Sequence, residues 1–533
     1  MTLNLSQGPL LDADWHGVSR VALLVCISIV IWAGYKFIFY PNFLSAFRHV
    51  PRAKGGYPLI GNAMVGFERP PGESVWKVTK KSPNDGMLNL RGVVGLDQIL
   101  LTKHELISEM LVDRAYEYEK PDGILDAMET VVGNSLLVAK GDVHRQHRRQ
   151  LMPGFNIRPI RSLYPIFWKK GQAFNRAIIS ELGIDRPSKS GNVLSGSFDF
   201  NHRATILTMD NLICGGVGVD LDLVSHPDHP IVAGYEEALE PTPSKVFMYL
   251  ATDMGIRKFA DYLCWGTSKS FEDSCARLRS IVRDIVREKV EQQEKGTNSE
   301  GIFTQVISSQ GCSQEKLVEH TLTLIAAGHE TISAGFAWVI HSLARNPDIQ
   351  TRLRQEINAN IPKDLATDPD ARLAEILESL PLLNAVCYET IRLYPSVYVV
   401  YRTAVCDTFI GGLPVPKGTR LMSCPWSYNR NPEIWGPRSE EWIPSRWLDP
   451  KTGKFDRMGG VSPKAANMSF HFGPRNCIGQ EFARTEMRSL VAAFVTGFEF
   501  ELSNPDEVLQ PTGLVSARPG YKMMINVRTV EAV

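Results

Sequence analysis

The chain has 533 residues, with 58 basic and 58 acidic side chains and 44% hydrophobic residues. This composition is that of a globular protein and excludes disorder or fibrous structure as the main state, while the length allows several domains. A net charge of zero provides no overall attraction to nucleic acid, so we expect no nucleic-acid partner. The nine cysteines are scattered, odd in number and without a C-x-x-C pair, which favours a reducing compartment over a disulfide framework.

The first predicted element is an apolar segment at residues 21–40, interrupted only by Lys36 near its end. Twenty residues of helix span about 30 Å, which matches the hydrocarbon thickness of a bilayer. We expect residues 21–40 to be a single transmembrane anchor. A buried core helix or a cleaved signal peptide is the alternative, but no small-residue cleavage site follows the segment.

The charges that flank the anchor predict its orientation. Arg48, Arg52 and Lys54 follow it, whereas aspartates precede it. By the positive-inside rule the large C-terminal body then lies in the cytosol, attached to an internal membrane. Residues 1–20 become a short luminal tail, and the proline- and glycine-rich residues 41–62 become a linker.

Residues 63–533 contain no repeat, low-complexity run or second linker, so we expect one large domain. Residues 314–344 lack proline and are apolar on nearly every face from Leu322 to Ile340, as is typical of a helix through a large core. Residues 373–393 and 480–495 are further predicted helices, whereas residues 409–421 carry the turn signals of short strands. The predicted fold is mainly α with a small β region.

The sharpest chemical signal is the segment FHFGPRNCIG at residues 470–479. Cys477 stands just before a predicted helix, where backbone N–H groups and the helix dipole stabilise a thiolate. Zinc requires three or four ligands, and only His471 stands nearby. Haem iron requires one protein ligand, and a thiolate in that position favours O–O cleavage. We therefore predict that Cys477 is an axial haem ligand, with a structural buried cysteine as the alternative.

The same segment matches the pattern F-x-x-G-x-R-x-C-x-G at Phe470, Gly473, Arg475, Cys477 and Gly479. In this motif the chain resembles the cytochrome P450 family, and the similarity extends from the linker to the C-terminus. The resemblance implies a cytochrome P450 fold preceded by a single transmembrane helix, with residues 63–533 as the haem domain. It also implies haem b as the cofactor, with Phe470 and Gly479 beside it.

A second matching segment is AGHET, residues 327–331, inside the long predicted helix. It is similar to the family's oxygen-activation signature, in which a groove in the helix accommodates dioxygen and an acid and a threonine deliver protons. The resemblance implies that Glu330 and Thr331 are the catalytic residues, and Gly328 suggests that something needs room there. A zinc-protease H-E-x-x-H helix is excluded because Ser333 occupies the second histidine position.

Three charged residues match the family's structural triad. Glu389 and Arg392 stand at i and i+3 of a predicted helix, and Arg446 lies in a segment similar to the family's P-E-R-F sequence. Here Ser445 and Trp447 replace the glutamate and the phenylalanine of that sequence. The resemblance implies that Glu389, Arg392 and Arg446 support the fold and the haem pocket without taking part in catalysis.

Haem propionates favour bidentate arginines, and Arg475, Arg402 and Arg148 occupy family-like positions. The family commonly has tryptophan four residues before the last of these arginines, and His144 stands there in this chain. The residues around Arg148 can alternatively form a solvated basic face that docks an acidic electron donor.

The sequence contains no G-x-G-x-x-G after a predicted strand, so electrons must come from outside the chain. With a membrane anchor, a thiolate haem resembles the microsomal class of the family. This resemblance implies NADPH–cytochrome P450 reductase as the partner, with cytochrome b5 as a further candidate, so that NADPH serves only indirectly.

The predicted function is insertion of one oxygen atom from dioxygen into a lipophilic small molecule, a terpenoid or polyketide of secondary metabolism. By resemblance, its pocket includes Ala327, Val397, Val399 and Leu514. Three alternatives stay open: a P450-fold enzyme that rearranges peroxides or isomerises without dioxygen, a fatty-acid hydroxylase, and a haem-binding scaffold protein without activity.

Overall fold

The computed structural model describes residues 15–56, 61–62, 65, 68–92, 97–183, 195–239, 242–253, 256–295, 301–308, 312–461, 467–513 and 516–530. Most of the predicted luminal tail lies outside the described residues, as do residues 57–60 of the predicted linker and Leu514 of the predicted pocket.

Helices dominate the described part of the chain. They are α1 (Trp15–Gly34), α2 (Glu73–Lys81), α3 (His104–Ser108), α4 (Asp122–Val132), α5 (Gly141–Leu151), α6 (Ile157–Arg161), α7 (Tyr164–Leu182), α8 (Phe200–Asn211), α9 (Pro230–Leu239), α10 (Pro243–Asp253), α11 (Arg257–Leu263), α12 (Trp265–Glu294), α13 (Ile302–Ser308), α14 (Gln314–Ala344), α15 (Pro347–Asn360), α16 (Lys363–Thr367), α17 (Arg372–Ser379), α18 (Pro381–Leu393), α19 (Pro425–Tyr428), α20 (Pro432–Trp435) and α21 (Gln480–Gly497).

The strands are short and form small sheets. They are β1 (Met87–Asn89), β2 (Gln98–Leu101), β3 (Tyr118–Glu119), β4 (Ser195–Asp199), β5 (Val400–Ala404), β6 (Thr408–Ile410), β7 (Leu413–Val415), β8 (Arg420–Ser423), β9 (Phe498–Leu502), β10 (Pro511–Thr512), β11 (Arg518–Pro519) and β12 (Met524–Thr529). One sheet has the order β1-β2-β8-β5-β3, a second has the order β4-β12-β9, and β6-β7 and β10-β11 are pairs. The prediction of a mainly α fold with a small β region is confirmed.

Helix α14 runs through the centre of the molecule, and its bounds confirm the prediction for residues 314–344. It packs most extensively against α8 and also contacts α21. Phe336 of α14 and Phe494 of α21 both make edge contacts with Phe200 of α8, at centroid distances of 5.0 and 5.3 Å. These rings join the three helices in the core, since aromatic pairs favour such edge geometry.

The helix predicted at residues 373–393 is wrong as a single element, because the structure divides it into α17 and α18. The break falls at Leu380, which is extended with ψ of 111°, and Pro381 then begins α18. Proline disfavours helical backbone in the residue before it and is well tolerated at the first position of a new helix.

The N-terminal apolar helix continues past the predicted end at residue 40. A π-helical segment, Tyr35–Leu44, follows α1 and contains Pro41. The N–H of Ser45 donates to the Tyr40 carbonyl, five residues back, at 2.9 Å, so the last turn has π geometry. Leu23–Leu44 is long and apolar enough to cross a membrane, and the rest of the described protein buries none of its most apolar window. These features are consistent with a single-pass membrane anchor.

The segment after this helix is packed onto the domain and does not form a free spacer. Phe47 and Val50 are only 2% and 6% exposed and belong to the core beneath the large sheet. The Asn89 N–H of β1 donates to the Pro51 carbonyl at 2.8 Å, and the Ala53 N–H donates to the Asn89 carbonyl at 2.9 Å. The chain is therefore fixed to the sheet within seven residues of the helix end.

We expect a variant that begins at Ser45 to move from the membrane pellet to the supernatant, because it lacks the apolar helix but keeps Phe47 and Val50. Ultracentrifugation after alkaline carbonate treatment measures this partition. The double variant Val30→Arg/Ile31→Arg of the full chain is the second arm and should also leave the membrane pellet. Each arginine near the centre of a membrane helix costs about 3 kcal/mol on insertion scales. Retention of the truncated variant in the pellet would contradict the anchor.

Candidate active site

Cys477 lies in a tightly turned loop that two 3-10 turns precede and that α21 follows three residues later. The Cys477 N–H donates to the Phe470 carbonyl at 3.0 Å. Gly473 has a φ of +75°, and a Cβ on it would lie 2.1 Å from the Leu111 carbonyl oxygen. Glycine is therefore required where this loop passes the π-helical turn Glu109–Asp113 that follows α3.

The Cys477 side chain is accessible, and yet burial is the largest cause that raises its thiol pKa; the Gly479 N–H and then Arg148 lower that pKa. Both observations hold if the thiol faces an interior cavity. Ala327, among buried and half-buried neighbours in the middle of α14, is also exposed, which agrees with such a space.

The Gly479 N–H at the helix terminus lowers the thiol pKa of Cys477, while burial, the larger effect, raises it. The predicted thiolate role of Cys477 stays a prediction. Coordination to a metal deprotonates a cysteine outright, so a bound iron would supply what the helix terminus does not.

Three cations lie together beside this loop: Arg402, Arg475 and Lys120. Pairing of β3 with β5 brings Glu119 opposite Thr403, and this register places Lys120 near Arg402. Burial and then the charges of Arg402 and Arg475 lower the pKa of Lys120 to about 7. Burial and then Arg475 lower the pKa of Arg402 to about 10. The cluster is therefore short of negative charge.

Glu119 is the carboxylate that offsets these cations among the described residues. It accepts hydrogen bonds from Arg475 and, at 3.0 Å, from the Gly141 N–H. The Nε of Arg475 and the Nε2 of His471 are buried without a hydrogen-bond partner. Two additional carboxylates would supply both the missing charge and the missing acceptors. These residues therefore fit a haem, with Cys477 as the ligand of its iron.

Lys120 and His471 belong to this cluster without being predicted from the sequence. His471 has a φ of +60°, and burial, with the charges of Arg402 and Lys120, lowers its pKa to about 3. It is therefore neutral at pH 7 and offers one N–H donor. His471 occupies a variable position (x) of the F-x-x-G-x-R-x-C-x-G motif. This position beside the cysteine loop is the sequence feature from which its place in the site could have been predicted. No local pattern singles out Lys120, because only strand pairing brings it to the arginines.

Arg148 and His144 lie on α5, against the same loop. Arg148 donates to the carbonyl and to the side-chain oxygen of Asn476, at 2.8 and 2.5 Å. His144 is buried, its Nδ1 lies 3.3 Å from the Tyr116 hydroxyl, and burial, then Arg475, lowers its pKa to about 3. Arg148 thus braces the residue next to Cys477, and its predicted contact with a propionate stays a prediction.

Thr331 lies on α14 with its hydroxyl bonded back to the helix. It donates to the Ala327 carbonyl at 2.7 Å, and the Ser396 hydroxyl donates to the Thr331 carbonyl at 2.7 Å. Gly328 lies within the continuous α-helix α14, and the groove that the family resemblance implies there stays a prediction. A Cβ on Gly328 would lie 2.7 Å from Leu212, so this glycine permits close packing of α14.

Glu330 is adjacent to Thr331 in the chain but is bonded elsewhere. Its Oε1 accepts from the Ser516 hydroxyl at 2.9 Å, and its Oε2 is buried without a partner. Burial raises the pKa of Glu330, and the Ser516 hydrogen bond and the Arg518 charge offset part of that effect. The structure thus brings the two predicted catalytic residues to one turn of α14 without a hydrogen bond between them.

The predicted structural charges meet at a fully buried carboxylate, that of Glu389. Arg392 donates to both of its oxygens, at 2.8 and 2.9 Å. The Ile443 N–H and the Trp447 indole N–H donate at 2.9 and 2.8 Å. The Nε of Arg446 lies 3.5 Å away. Trp447, which departs from the family pattern, therefore adds a hydrogen bond that phenylalanine could not make.

Asn429 connects this buried carboxylate group to the Cys477 loop. Arg392 donates to the Asn429 carbonyl at 2.5 Å, and the Asn429 side-chain oxygen accepts from the Met468 N–H at 3.0 Å. The Ser469 hydroxyl in turn donates to the Ile391 carbonyl of α18 at 2.7 Å. The loop is therefore anchored to α18 just before the cysteine motif.

Of the predicted pocket residues, Ala327 is exposed to the interior space, and Val397 and Val399 are half-buried after α18. Leu514 lies outside the described residues, so its predicted contact with substrate stays a prediction.

We expect Glu389→Gln to lower the free energy of unfolding by about 3–5 kcal/mol, because Arg392 then stays buried without its counter-charge. Trp447→Phe should lower it by about 1–3 kcal/mol, since one carboxylate oxygen loses a donor. Urea unfolding followed by circular dichroism measures both changes. Arg438→Ala, which breaks an exposed ion pair with Glu441, is the control. Equal stability of Glu389→Gln and this control would contradict the assignment.

Comparison with known proteins indicates the same family along most of the chain. The family model described as cytochrome P450 matches residues 51–525. Cytochrome P450 monooxygenase ptmK of Penicillium ochrochloron is 34% identical over 501 residues, which cover 94% of this chain and 97% of that protein. Cytochrome P450 monooxygenase sphH of Aspergillus fumigatus is 32% identical over 481 residues, covering 89% and 87%. The chain therefore belongs to the cytochrome P450 family, and its enzyme class is that of the cytochrome P450 monooxygenases.

Proposed function

We propose that this monooxygenase inserts one oxygen atom from dioxygen into a lipophilic small molecule, a terpenoid or polyketide of secondary metabolism. The observation that carries the proposal is an accessible but enclosed Cys477 thiol beside a cation cluster whose positive charge Glu119 alone does not balance. That arrangement suits a haem with a thiolate ligand. The relatives named above, both of them fungal, carry the word monooxygenase in their names.

A bound haem would supply the iron at which dioxygen is activated, and a thiolate ligand favours O–O cleavage. Cys477 would bind the iron, while Arg402, Arg475 and Lys120 would hold the propionates. His144 and His471, both neutral at pH 7 because their pKa values are lowered to about 3, would donate hydrogen bonds without adding charge.

Thr331 and Glu330 of α14 would deliver protons to the site. The Thr331 hydroxyl can donate and accept at the same time, because its bond to the Ala327 carbonyl leaves its lone pairs available. Burial raises the pKa of Glu330, which favours a carboxyl group that holds a proton until it is needed. In this scheme Glu330 supplies the proton and Thr331 positions it.

The proposed partner is NADPH–cytochrome P450 reductase, with cytochrome b5 as a second electron donor, at a cytosolic face on the endoplasmic reticulum membrane. Arg145 and Arg149 are exposed on α5, and Arg148 of the same helix donates to Asn476 in the Cys477 loop. An acidic donor protein docked on this face would lie on the side of the thiolate ligand.

We expect Cys477→Ser to abolish the red-shifted Soret band that the reduced protein forms with carbon monoxide, because that band requires thiolate ligation. Difference spectra of detergent-solubilised protein measure it. Cys406→Ser, at an exposed cysteine in the turn after β5, is the matched control and should keep the band. A Cys477→Ser protein with an unchanged band would refute the ligand assignment.

Binding spectra against terpenoids, polyketides and fatty acids test the substrate proposal. We expect a terpenoid or polyketide to shift the spectrum and to be oxidised with NADPH and reductase, with one labelled oxygen from dioxygen. Thr331→Ala should form about tenfold less product per NADPH. A response to fatty acids alone would instead indicate a fatty-acid hydroxylase. Turnover with hydroperoxide but not with NADPH would indicate the rearranging class.

A further inference from the structure

Tyr116, two residues before β3, connects the cation cluster to the surface of α5. A turn fixes its backbone, because the Glu117 N–H donates to the Arg114 carbonyl at 2.9 Å. The Val405 N–H donates to the Glu117 carbonyl, also at 2.9 Å, which ties this turn to the end of β5. The Tyr116 side chain is half-buried, so its ring reaches both the interior and the surface.

Two guanidinium groups contact the Tyr116 ring. The Cζ atom of Arg145 lies 3.8 Å from the ring centroid, and that of Arg475 lies 4.7 Å from it. Arg145 is exposed on α5 and pairs with Asp142. Arg475 is largely buried and pairs with Glu119 in the cation cluster. Contacts between cations and aromatic rings are attractive, so the two arginines fix the orientation of the tyrosine ring.

The Tyr116 hydroxyl reaches the His144 ring of α5. It lies 3.3 Å from the His144 Nδ1, and the two ring centroids are 5.9 Å apart. Guanidinium groups only donate hydrogen bonds, so neither neighbouring arginine can accept the phenolic proton. Among the described residues, His144 Nδ1 is the acceptor within reach of this hydroxyl. The hydroxyl therefore donates to Nδ1, and Nδ1 carries a lone pair and no proton.

The single proton of the neutral His144 ring is then on Nε2. His144 is buried, and burial, then the charge of Arg475, lowers its pKa to about 3, so the ring is neutral at pH 7. A neutral imidazole has one N–H donor, and the hydrogen bond at one nitrogen decides which nitrogen carries it. Nε2 points away from Tyr116 and makes no hydrogen bond to any described residue. The ring beside the cation cluster thus keeps one donor for a ligand.

We propose that Tyr116 is a positioning residue that holds His144 in the tautomer with its proton on Nε2, so that His144 donates one hydrogen bond to a haem propionate. The inference rests on the proposed function, in which Arg402, Arg475 and Lys120 hold the propionates. In the other tautomer Nε2 would present a lone pair to a carboxylate, and the two groups would repel each other. Tyr116 therefore decides whether His144 attracts or repels the cofactor.

Two amide variants of His144 distinguish its ring nitrogens. The amide of glutamine reaches the place of Nε2, whereas the shorter asparagine reaches only that of Nδ1. We expect His144→Gln to release haem at the rate of the unchanged protein and His144→Asn to release it about thirtyfold faster, because a hydrogen bond to a charged group is lost. Transfer of haem from the detergent-solubilised full chain to excess apomyoglobin measures the rate. Equal rates in the two variants would overturn the Nε2 donor.

A double variant separates positioning from packing. Tyr116→Phe keeps the ring but loses the hydroxyl, and we expect haem release to become about fivefold faster. In the His144→Gln background the same change should leave the rate unaltered, because an amide donor has no tautomer to select. Tyr118→Phe is the matched control, since the Tyr118 hydroxyl donates to the Phe409 carbonyl at 2.9 Å. An equal effect of Tyr116→Phe in both backgrounds would overturn the positioning role.

Nitrogen NMR of protein with isotope-labelled histidine reads the tautomer directly. The reduced carbon monoxide form is diamagnetic, and the signals of His144 are those that His144→Gln removes. We expect a protonated Nε2 and an unprotonated Nδ1 in the unchanged protein, and a mixture of the two tautomers in Tyr116→Phe. A protonated Nδ1 in the unchanged protein would contradict the proposal.

The carbon monoxide Soret band distinguishes failure of this inference from failure of the proposed function. It also shows that each variant is folded and loaded before release begins. If the unchanged protein gives no red-shifted band, the haem-thiolate proposal is refuted, and the role of Tyr116 with it. If the band is present but Tyr116→Phe releases haem as slowly as Tyr118→Phe, only the positioning role is refuted and the proposed function stands.

Discussion

The rest of the site depends on one buried carboxylate, that of Glu389. A charge of this kind is tolerated in a core only when donors surround it, and here a guanidinium, an indole and a backbone N–H do so. The remaining N–H groups of Arg392 donate to backbone carbonyls, one of which belongs to Asn429. The Asn429 side chain accepts from the Met468 N–H, just before the Cys477 loop. Hydrogen bonds therefore connect the buried Glu389 group to that loop.

The cation cluster is the opposite case, because its positive charges have too few carboxylates around them. Arg402, Arg475 and Lys120 repel one another, and Glu119 alone cannot neutralise them, so the protein holds a positive site that is incomplete by itself. A ligand with two carboxylates and one metal would complete the site, with the carboxylates at the cations and the metal at the Cys477 sulfur. Such a cofactor would be part of the electrostatic balance of the fold and would add to its stability through binding.

On the opposite side of the cavity, hydrogen bonds hold α14 to segments that come later in the chain. Ser396 is bonded to Thr331, Trp338 to Ala517, and Ser516 to Glu330. Because these contacts come from segments after α18 and near the C-terminus, Thr331 and Glu330 each have their own support. A rigid helix can thus present a hydroxyl to the cavity and a carboxyl to a polar group behind it, which separates the two proposed proton functions in space.

The position of the Cys477 loop, the central helix and the buried Glu389–Arg392 pair could be predicted from the sequence, because each depends on local geometry or on a fixed spacing. Cys477, residues 314–344 and the Glu389–Arg392 pair are all visible within a few turns of chain. It also determined the enzyme family, through motifs with several fixed positions. It could not determine that Gly328 packs against Leu212 or that Trp447 bonds to Glu389. Nor could it show that Lys120 joins the arginines or that the Ser516 hydroxyl donates to Glu330. Those relations join residues far apart in the chain, and only the pairing of strands and the packing of helices on α14 brought them within reach of one another.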